Sequence, residues 1–488
     1  MGTVATILSR CWNGGPAGPV DRRRGDDQMP REHPHDDRDR RRGTVRRASA
    51  AAVAVLAALA AAAAAAPVAG PLTLADALRE IAAHSAAATA AALDTSAARE
   101  DTKRAEAAFH PALDLSGGFQ LRDHEVVAKF GALQAPTGQS HFLFGEVDLT
   151  QLLWDGGRRS WAVAGARSAE HATAAGGRAE VSSAMLEGLG TYLRILTLTA
   201  QRRVVAQRVV TLQDHLREVH DLFDQGVVAR NDLLATEVRL RLVQDQGGAL
   251  ANGETVATAA LNRLMGRDPA EAVALPGTMP PPPPLAASAA ELAKRAAKAN
   301  PQLLALQARL KTEEDAVALK KSDDKPSLFA QASHTYQQNQ YLVYPNANFL
   351  MLGASWQPYD GGARAAAVRA AAFRAERTRT EIADLQRQID VQVEQAFLAY
   401  RQALTEAATA ETNVAAATEN LRIEEDQYKA GLAKSTDVLD AEAVLADARF
   451  ALVNQHFNAY LKQGVLLTLA GEDLPTFFAA VGTKEQEP

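Results

Sequence analysis

Cysteine is all but missing from this chain. Its single copy, Cys11, falls in a prefix, residues 1–47, rich in Arg, Asp, Pro and Gly. One thiol builds no disulfide framework, and a cysteine-free remainder suits an oxidising compartment. Arg10 precedes Cys11 with no apolar run before it, which argues against lipid attachment there. Aromatic residues make up only 5% of the chain, so the helices have to pack closely on alanine rather than on rings. Excess positive charge is missing too. A net charge of -6 does not suit a generic nucleic-acid binder, and no nucleic-acid partner is expected. Past residue 66 no 18-residue apolar run exists, so membrane residence beyond that point has to come from strands. Phosphate-binding loops, metal-ligand clusters and nucleophile motifs are absent, so neither an enzyme nor a cofactor or metal is expected. His124, His141 and His220 are scattered and read as solvated or packed side chains, as do His33 and His35 in the prefix.

What is present begins with that prefix, which would not bury a core and is expected to be disordered. Arg46-Arg47 then precedes a small-apolar run from Ala48 to Ala66. Residues 48–70 read as the hydrophobic region and cleavage zone of a secretory signal, with a membrane anchor as the rival reading. Translation starting at Met29 would remove most of the prefix. The 488 residues, 47% apolar and 23% charged, suit a globular chain of two domains.

Those two domains are copies of each other. Asp155-Gly156-Gly157 recurs as Asp360-Gly361-Gly362, Gly226 as Gly431, Asp232 as Asp437, and the Met265-Gly266 stop as Ala470-Gly471, each pair 205 positions apart. A fixed period this long marks a duplicated unit, not a solenoid of short repeats. The first copy spans 71–275 and the second 288–474. A Pro-rich linker, 276–287, separates them, and a tail, 475–488, follows.

Each copy opens with an alanine-rich helical stretch. In the first, Thr73 and Asp76 resemble a capping box, and the helical pattern runs to Phe109. In the second it runs from Ser288 to about Lys321, interrupted near Asn300-Pro301. The period then changes from 3.6 to 2. Leu113, Leu115, Gly117, Phe119 and Leu121 alternate with Asp114, Ser116, Gly118 and Gln120; Leu143, Val147, Leu149 and Leu153 share one face against Glu146, Asp148 and Thr150. The second copy repeats this over Leu328–Tyr336 and Phe349–Trp356. Its connecting loop is shorter, because Pro111 and Pro326 lie 215 apart where later landmarks lie 205 apart; an exposed loop tolerates such a change.

After the Asp-Gly-Gly turn a helical pattern runs from Arg158 to about Gln225, and again from Ala363 to about Lys429. Nearly seventy residues at about 1.5 Å each predict a rod of roughly 100 Å. Gly226 and Gly431 end the rods, and the chain folds back through Asp232–Leu264 and Asp437–Leu469. Four strands with one apolar face cannot close a barrel alone, and open edges are not tolerated in a bilayer. Closure between chains, giving eight strands from two or twelve from three, resolves this.

The sequence resembles the TolC-like outer-membrane efflux proteins, the outer membrane factors. The resemblance rests on Trp154-Asp155-Gly156-Gly157 and Tyr359-Asp360-Gly361-Gly362 after strands, and on the tip segments Phe223–Leu234 and Tyr428–Leu439. It covers Leu72 to Leu474. It implies a mainly α fold with a transmembrane β portion: a homotrimeric twelve-stranded barrel in lipid of the cell outer membrane, continued by a helical tunnel through the periplasm. Such a duct docks a periplasmic membrane-fusion adaptor and an inner-membrane pump of RND or ABC type, and conducts passively in efflux or type I secretion.

The resemblance also implies a periplasmic gate at Asp437 and Asp440, three apart on a helix, whose carboxylates would form a ring of six on a threefold axis. Acids in a first helical turn also suit the helix dipole. Tyr428 and Asp232 match a latch between the copies. The family's other link uses an arginine where this chain has Ala433, with Lys434 beside it and Asn231 at the partner position, so closure is expected to rest more heavily on Tyr428 and Asp232. The alternative of another class is a soluble periplasmic coiled-coil scaffold, which explains the rods but not the strands. A helical enzyme has no candidate site.

Overall fold

In the computed structural model, residues 71–483 are described apart from 278, 281 and 283, with side chains of 481–483 left aside. The expected disordered prefix and signal lie outside the described residues. Helices α1 (Leu74–His84) and α2 (Ala86–Ala107) lead into strands β1 (Ala112–Leu121), β2 (Val126–Phe130), β3 (Leu133–Gly138) and β4 (His141–Trp154). Helix α3 (Arg158–Asp224) and the returning α4 (Arg230–Met265) complete the first copy. The second runs α5 (Ala289–Ala299), α6 (Pro301–Ser322), β5 (Ser327–Gln337), β6 (Asn346–Ser355), α7 (Ala363–Lys429) and α8 (Ser435–Leu469). A last helix, α9 (Leu474–Thr483), occupies the first part of the expected tail.

The opening helix of the first copy is broken, not continuous to Phe109. Ser85 takes an extended conformation (φ -60, ψ 154) and caps α2 by accepting the Ala88 N–H. Asn300 does the same for α6, accepting from Gln302 and Leu303, with Pro301 at the first helical position. Ser85 and Asn300 lie 215 apart, so the break is a property of the repeat; only the proline made it visible in one copy. The expected cap at Thr73 is present, accepting from the Asp76 N–H, and Ser288 with Glu291 forms a reciprocal box that was not expected.

The rods match the expected lengths. Helices α3 and α7 each have 67 residues and begin 205 positions apart. The sheet order is β1-β4-β5-β6, all antiparallel, with β1 and β6 as free edges. The register pairs Leu113 with Leu149 and Leu115 with Val147, and on the other face Asp114 with Asp148 and Ser116 with Glu146. The predicted alternation therefore holds across strands. Leu115, Leu350 and Leu352 are about three-quarters exposed, at 74%, 76% and 75%. The extra length in the first hairpin is not plain loop: β2 and β3 pair there as a second, two-stranded sheet.

The main apolar core lies where α1 crosses α3. Leu78, Ile81, Leu189, Leu261 and Tyr460 are fully buried together, joined by Leu474 and Phe478 from the last helix. The Tyr192 hydroxyl donates to the Leu72 carbonyl at 2.8 Å, tying the first residues of the copy to the rod. The Pro-rich linker is laid along the helices, with Arg203 donating to the Gly277 carbonyl at 2.6 Å and Tyr460 to that of Pro280. Among the described residues no helix is long and apolar enough to cross a membrane.

Candidate gate at the helical tip

Two kinds of turn set the geometry of each copy. At the strand-to-helix junction, Asp155 accepts the Gly157 N–H at 3.2 Å and the Arg159 N–H at 2.9 Å. Asp360 accepts from Gly362 at 3.0 Å and Arg364 at 2.8 Å. Gly156, Gly157, Gly361 and Gly362 all have φ between 67° and 89°, where a Cβ is disfavoured. Each aspartate also pairs with the arginine four residues on, at 3.1 Å for Arg159 and 2.9 Å for Arg364. Those arginines were legible in the sequence, as they recur at the same offset of 205, yet the turn motif alone does not point to them. Arg159 goes on to hold the carbonyls of Leu152 and Ala108.

At the far end of the rods, Gly226 (φ 72°) and Gly431 (φ 74°) close identical stops. Gly226 N–H bonds Phe223 O and Val227 N–H bonds Leu222 O; Gly431 and Leu432 repeat this with Tyr428 and Gln427. The chain then enters α4 and α8. In α8, Asp437 accepts the Lys434 N–H at 2.9 Å, so the carboxylate caps the helix it begins. Ser435, Val438, Leu439, Ala441 and Glu442 are buried, whereas Asp437 and Asp440 are exposed on the opposite side. The structure thus puts the two expected gate carboxylates on one free face, one helical turn apart.

The expected latch partners are less closely joined. Tyr428 is 8% exposed, and its hydroxyl is buried without a hydrogen-bond partner. Burial pushes the Tyr428 phenol pKa up, helped by the negative charges of Glu218 and Asp232. Asp232 is therefore near enough to be felt but does not bond the hydroxyl, and a latch role would have to act without a direct bond in this state. Tyr428 instead meets the His215 ring edge-on, with centroids 5.3 Å apart. His215 Nε2 lies 3.0 Å from Ser435 Oγ. Further along the same contact, Arg208 Nε donates to both carboxylate oxygens of Glu442, at 2.7 and 2.9 Å.

Sequence reasoning missed Arg208, His215, Ser435 and Glu442. The signal was there: on α3 the buried positions 205, 208, 212, 215 and 219 alternate by three and four, and Arg208 and His215 are the polar members of that stripe. Ala433, at the position where the family has an arginine, packs half-buried against the apolar cluster that includes Tyr428 and Val438. Among the described residues there is no cluster of three side chains fit to hold a metal ion.

The family model for outer membrane efflux proteins matches residues 77–267 and 292–472. Among solved structures, the outer membrane protein VceC from Vibrio cholerae superposes with a TM-score of 0.69 at 18% identity, over 82% of this chain and 96% of that one. CusC superposes with a TM-score of 0.69 at 14% identity, over 82% and 92%. The open state of the MtrE outer membrane channel from Neisseria gonorrhoeae gives 0.65 at 17% identity, over 82% and 89%. None of the curated protein sequences compared with this chain matches it.

Proposed function

The chain belongs to the outer membrane efflux protein family, and from that premise we propose that three copies close into a twelve-stranded barrel in the outer membrane. The barrel continues as a periplasmic tunnel of long helices. It serves as the exit duct of a tripartite efflux or type I secretion system, conducting passively what an inner-membrane RND or ABC pump drives through a periplasmic membrane-fusion adaptor.

The observation that carries this reading is the unfinished sheet. Strands β1 and β6 have unpaired edges, and one face displays Leu115, Leu350 and Leu352 to solvent. A bilayer tolerates neither open edges nor unpaired backbone groups, and water does not favour that face. Pairing β6 of one copy with β1 of the next satisfies both demands, with the apolar face on lipid. Gln331 donates to Asp148 at 2.9 Å and Ser333 to Glu146 at 3.4 Å on the other face, which then lines a wet lumen. A soluble scaffold leaves the exposed leucines unexplained.

At the tip, Asp437 and Asp440 from three copies form a ring of carboxylates. Such a ring favours cations and holds divalent ions at the constriction. The test is current through the protein in planar bilayers. Asp437→Ala with Asp440→Ala abolishes block by divalent cations; block of unchanged strength in that double variant rejects the gate.

A further inference from the structure

The seam between α3 and α8 has an a/d spacing on both helices. On α3 it runs Val205, Arg208, Leu212, His215, Val219; on α8 it runs Ser435, Val438, Glu442, Leu445, all buried. Two positions on each helix are polar, and they meet each other. Arg208 holds Glu442 through both oxygens, and His215 meets Ser435 at 3.0 Å. The polar positions are one heptad apart on each helix, 208 and 215 against 442 and 435, in the order antiparallel helices require. A shift of register would leave a guanidinium and a carboxylate buried against apolar neighbours, each without its partner. Polar side chains in such a stripe select one register at some cost in stability. We propose that these two polar rungs lock α8, with Asp437 and Asp440 on its outer face, against α3, and that acid releases the lock at His215. The inference rests on the gate reading above.

The release has a physical cause in the lower rung. Ser435 is the first residue of α8, so the His215 ring sits at the positive end of that helix's dipole. Burial pushes the His215 pKa down, more than the Glu218 carboxylate on the same helix pulls it up. The groups that meet or act on it are Glu218 on α3, Tyr428 on α7 and Ser435 at the start of α8. Asp232 of α4 acts on Tyr428. The docked seam holds neutral imidazole. As pH falls below the ordinary value of 6.5, a released seam takes up a proton that the docked one refuses, so docking weakens toward acid. Glu442 works in the other direction. Burial pushes its pKa up against the pull of Arg208, so the docked seam tolerates its protonation and acid release does not come from it.

The copy-related positions make a contrast. Counterparts of Arg208 and His215 on α7 are Asn413 and Asn420, both exposed; counterparts of Ser435 and Glu442 on α4 are Arg230 and Glu237. That pair of faces lacks both the buried guanidinium and the histidine, so the lock belongs to the seam inside one chain.

The test uses the full chain with Cys11→Ser and spin labels at Gln213→Cys and Val444→Cys, both exposed and outside the rungs. The label distance is compared at pH 7.5 and 5.5 by pulsed electron resonance, with bilayer current measured in parallel. The expected result is a longer, broader distance at pH 5.5 and a several-fold rise in current. His215→Asn, which keeps a hydrogen-bonding side chain without titrating, holds the short distance at both pH values, and Glu442→Gln still responds to acid. Arg208→Ala is long at pH 7.5, and the exchange Arg208→Glu with Glu442→Arg restores the short distance. An acid response that survives His215→Asn, or a short distance in Arg208→Ala at pH 7.5, overturns the lock. Distances that respond as expected while no variant passes current uphold the lock and refute the duct.

Discussion

The two copies share their backbone and differ in what surrounds it. In the first, the junction aspartate is 7% exposed and its arginine 11%; in the second the corresponding values are 16% and 19%. Gly156 carries the side chain of Lys325 against it, while among the described residues nothing lies within 4 Å of a Cβ placed at Gly361. Gly156 accepts from Lys325 Nζ at 3.2 Å, so the first turn is braced by the entry to β5. Among the described residues the second turn has no later strand to brace it. One turn is finished inside the chain, and its copy presents the same geometry to whatever comes next. A duplicated unit thus makes an asymmetric object, because each copy meets a different neighbour.

The largest expected effect tests that contrast directly. Asp155→Ala leaves the nearly buried Arg159 charge with backbone carbonyls but no carboxylate, and should cost about 3–5 kcal/mol, the range for removing one partner of a buried pair. Asp360→Ala leaves Arg364 bonded to the Asp324 carboxylate and the Gln357 carbonyl, and should cost clearly less. The urea midpoints of the two variants measure the difference. Equal midpoints would break the comparison and mean that a neighbouring chain buries the second turn as deeply as β5 buries the first.

The sheet offers a contrast of faces. Val147→Arg on the apolar face should cost about 2–4 kcal/mol at mid-membrane, whereas Asp148→Arg on the polar face should cost far less. Yield of folded protein in the membrane fraction reads both, and a normal yield for Val147→Arg removes the lipid-facing assignment. Next in size are the turn glycines. Gly156→Ala and Gly361→Ala each incur about 1 kcal/mol of left-handed backbone strain. Gly156→Ala adds about 1–3 kcal/mol, because the new Cβ would lie 2.4 Å from Lys325 Cβ. The smallest effects belong to the tip: Gly226→Ala and Gly431→Ala should each cost about 1 kcal/mol and match, since no atom lies within 4 Å of either added Cβ. Thermal melts that separate these two would show unequal tip environments in the assembled protein.

Much of this was legible before any coordinate. The rods, the hairpins, the glycine stops and the facing of Leu113, Leu115, Val147 and Leu149 follow from local periodicity, which is written into neighbouring residues. The break at Ser85 was not, because serine both caps helices and sits within them, and no proline marked it. The β2–β3 hairpin hid in a length difference, since its strands are only five and six residues long. At the tip, Asp437 and Asp440 are both exposed, yet the Tyr428–Asp232 bond is not made. The residues that do cross between the copies, Arg208 with Glu442 and His215 with Ser435, are 234 and 220 positions apart. No local pattern pairs them.

The sequence by itself determined the repeat, the element types and the unfinished sheet, because each depends on spacings of a few residues or on a constant offset. Only the tertiary structure decided which polar residues of the long helices are buried together. A heptad stripe says that a side chain faces some partner, but the partner and its register come from packing two rods side by side. That choice sets the arginine on its glutamate and the histidine on the start of α8, and it leaves Asp437 and Asp440 facing outward.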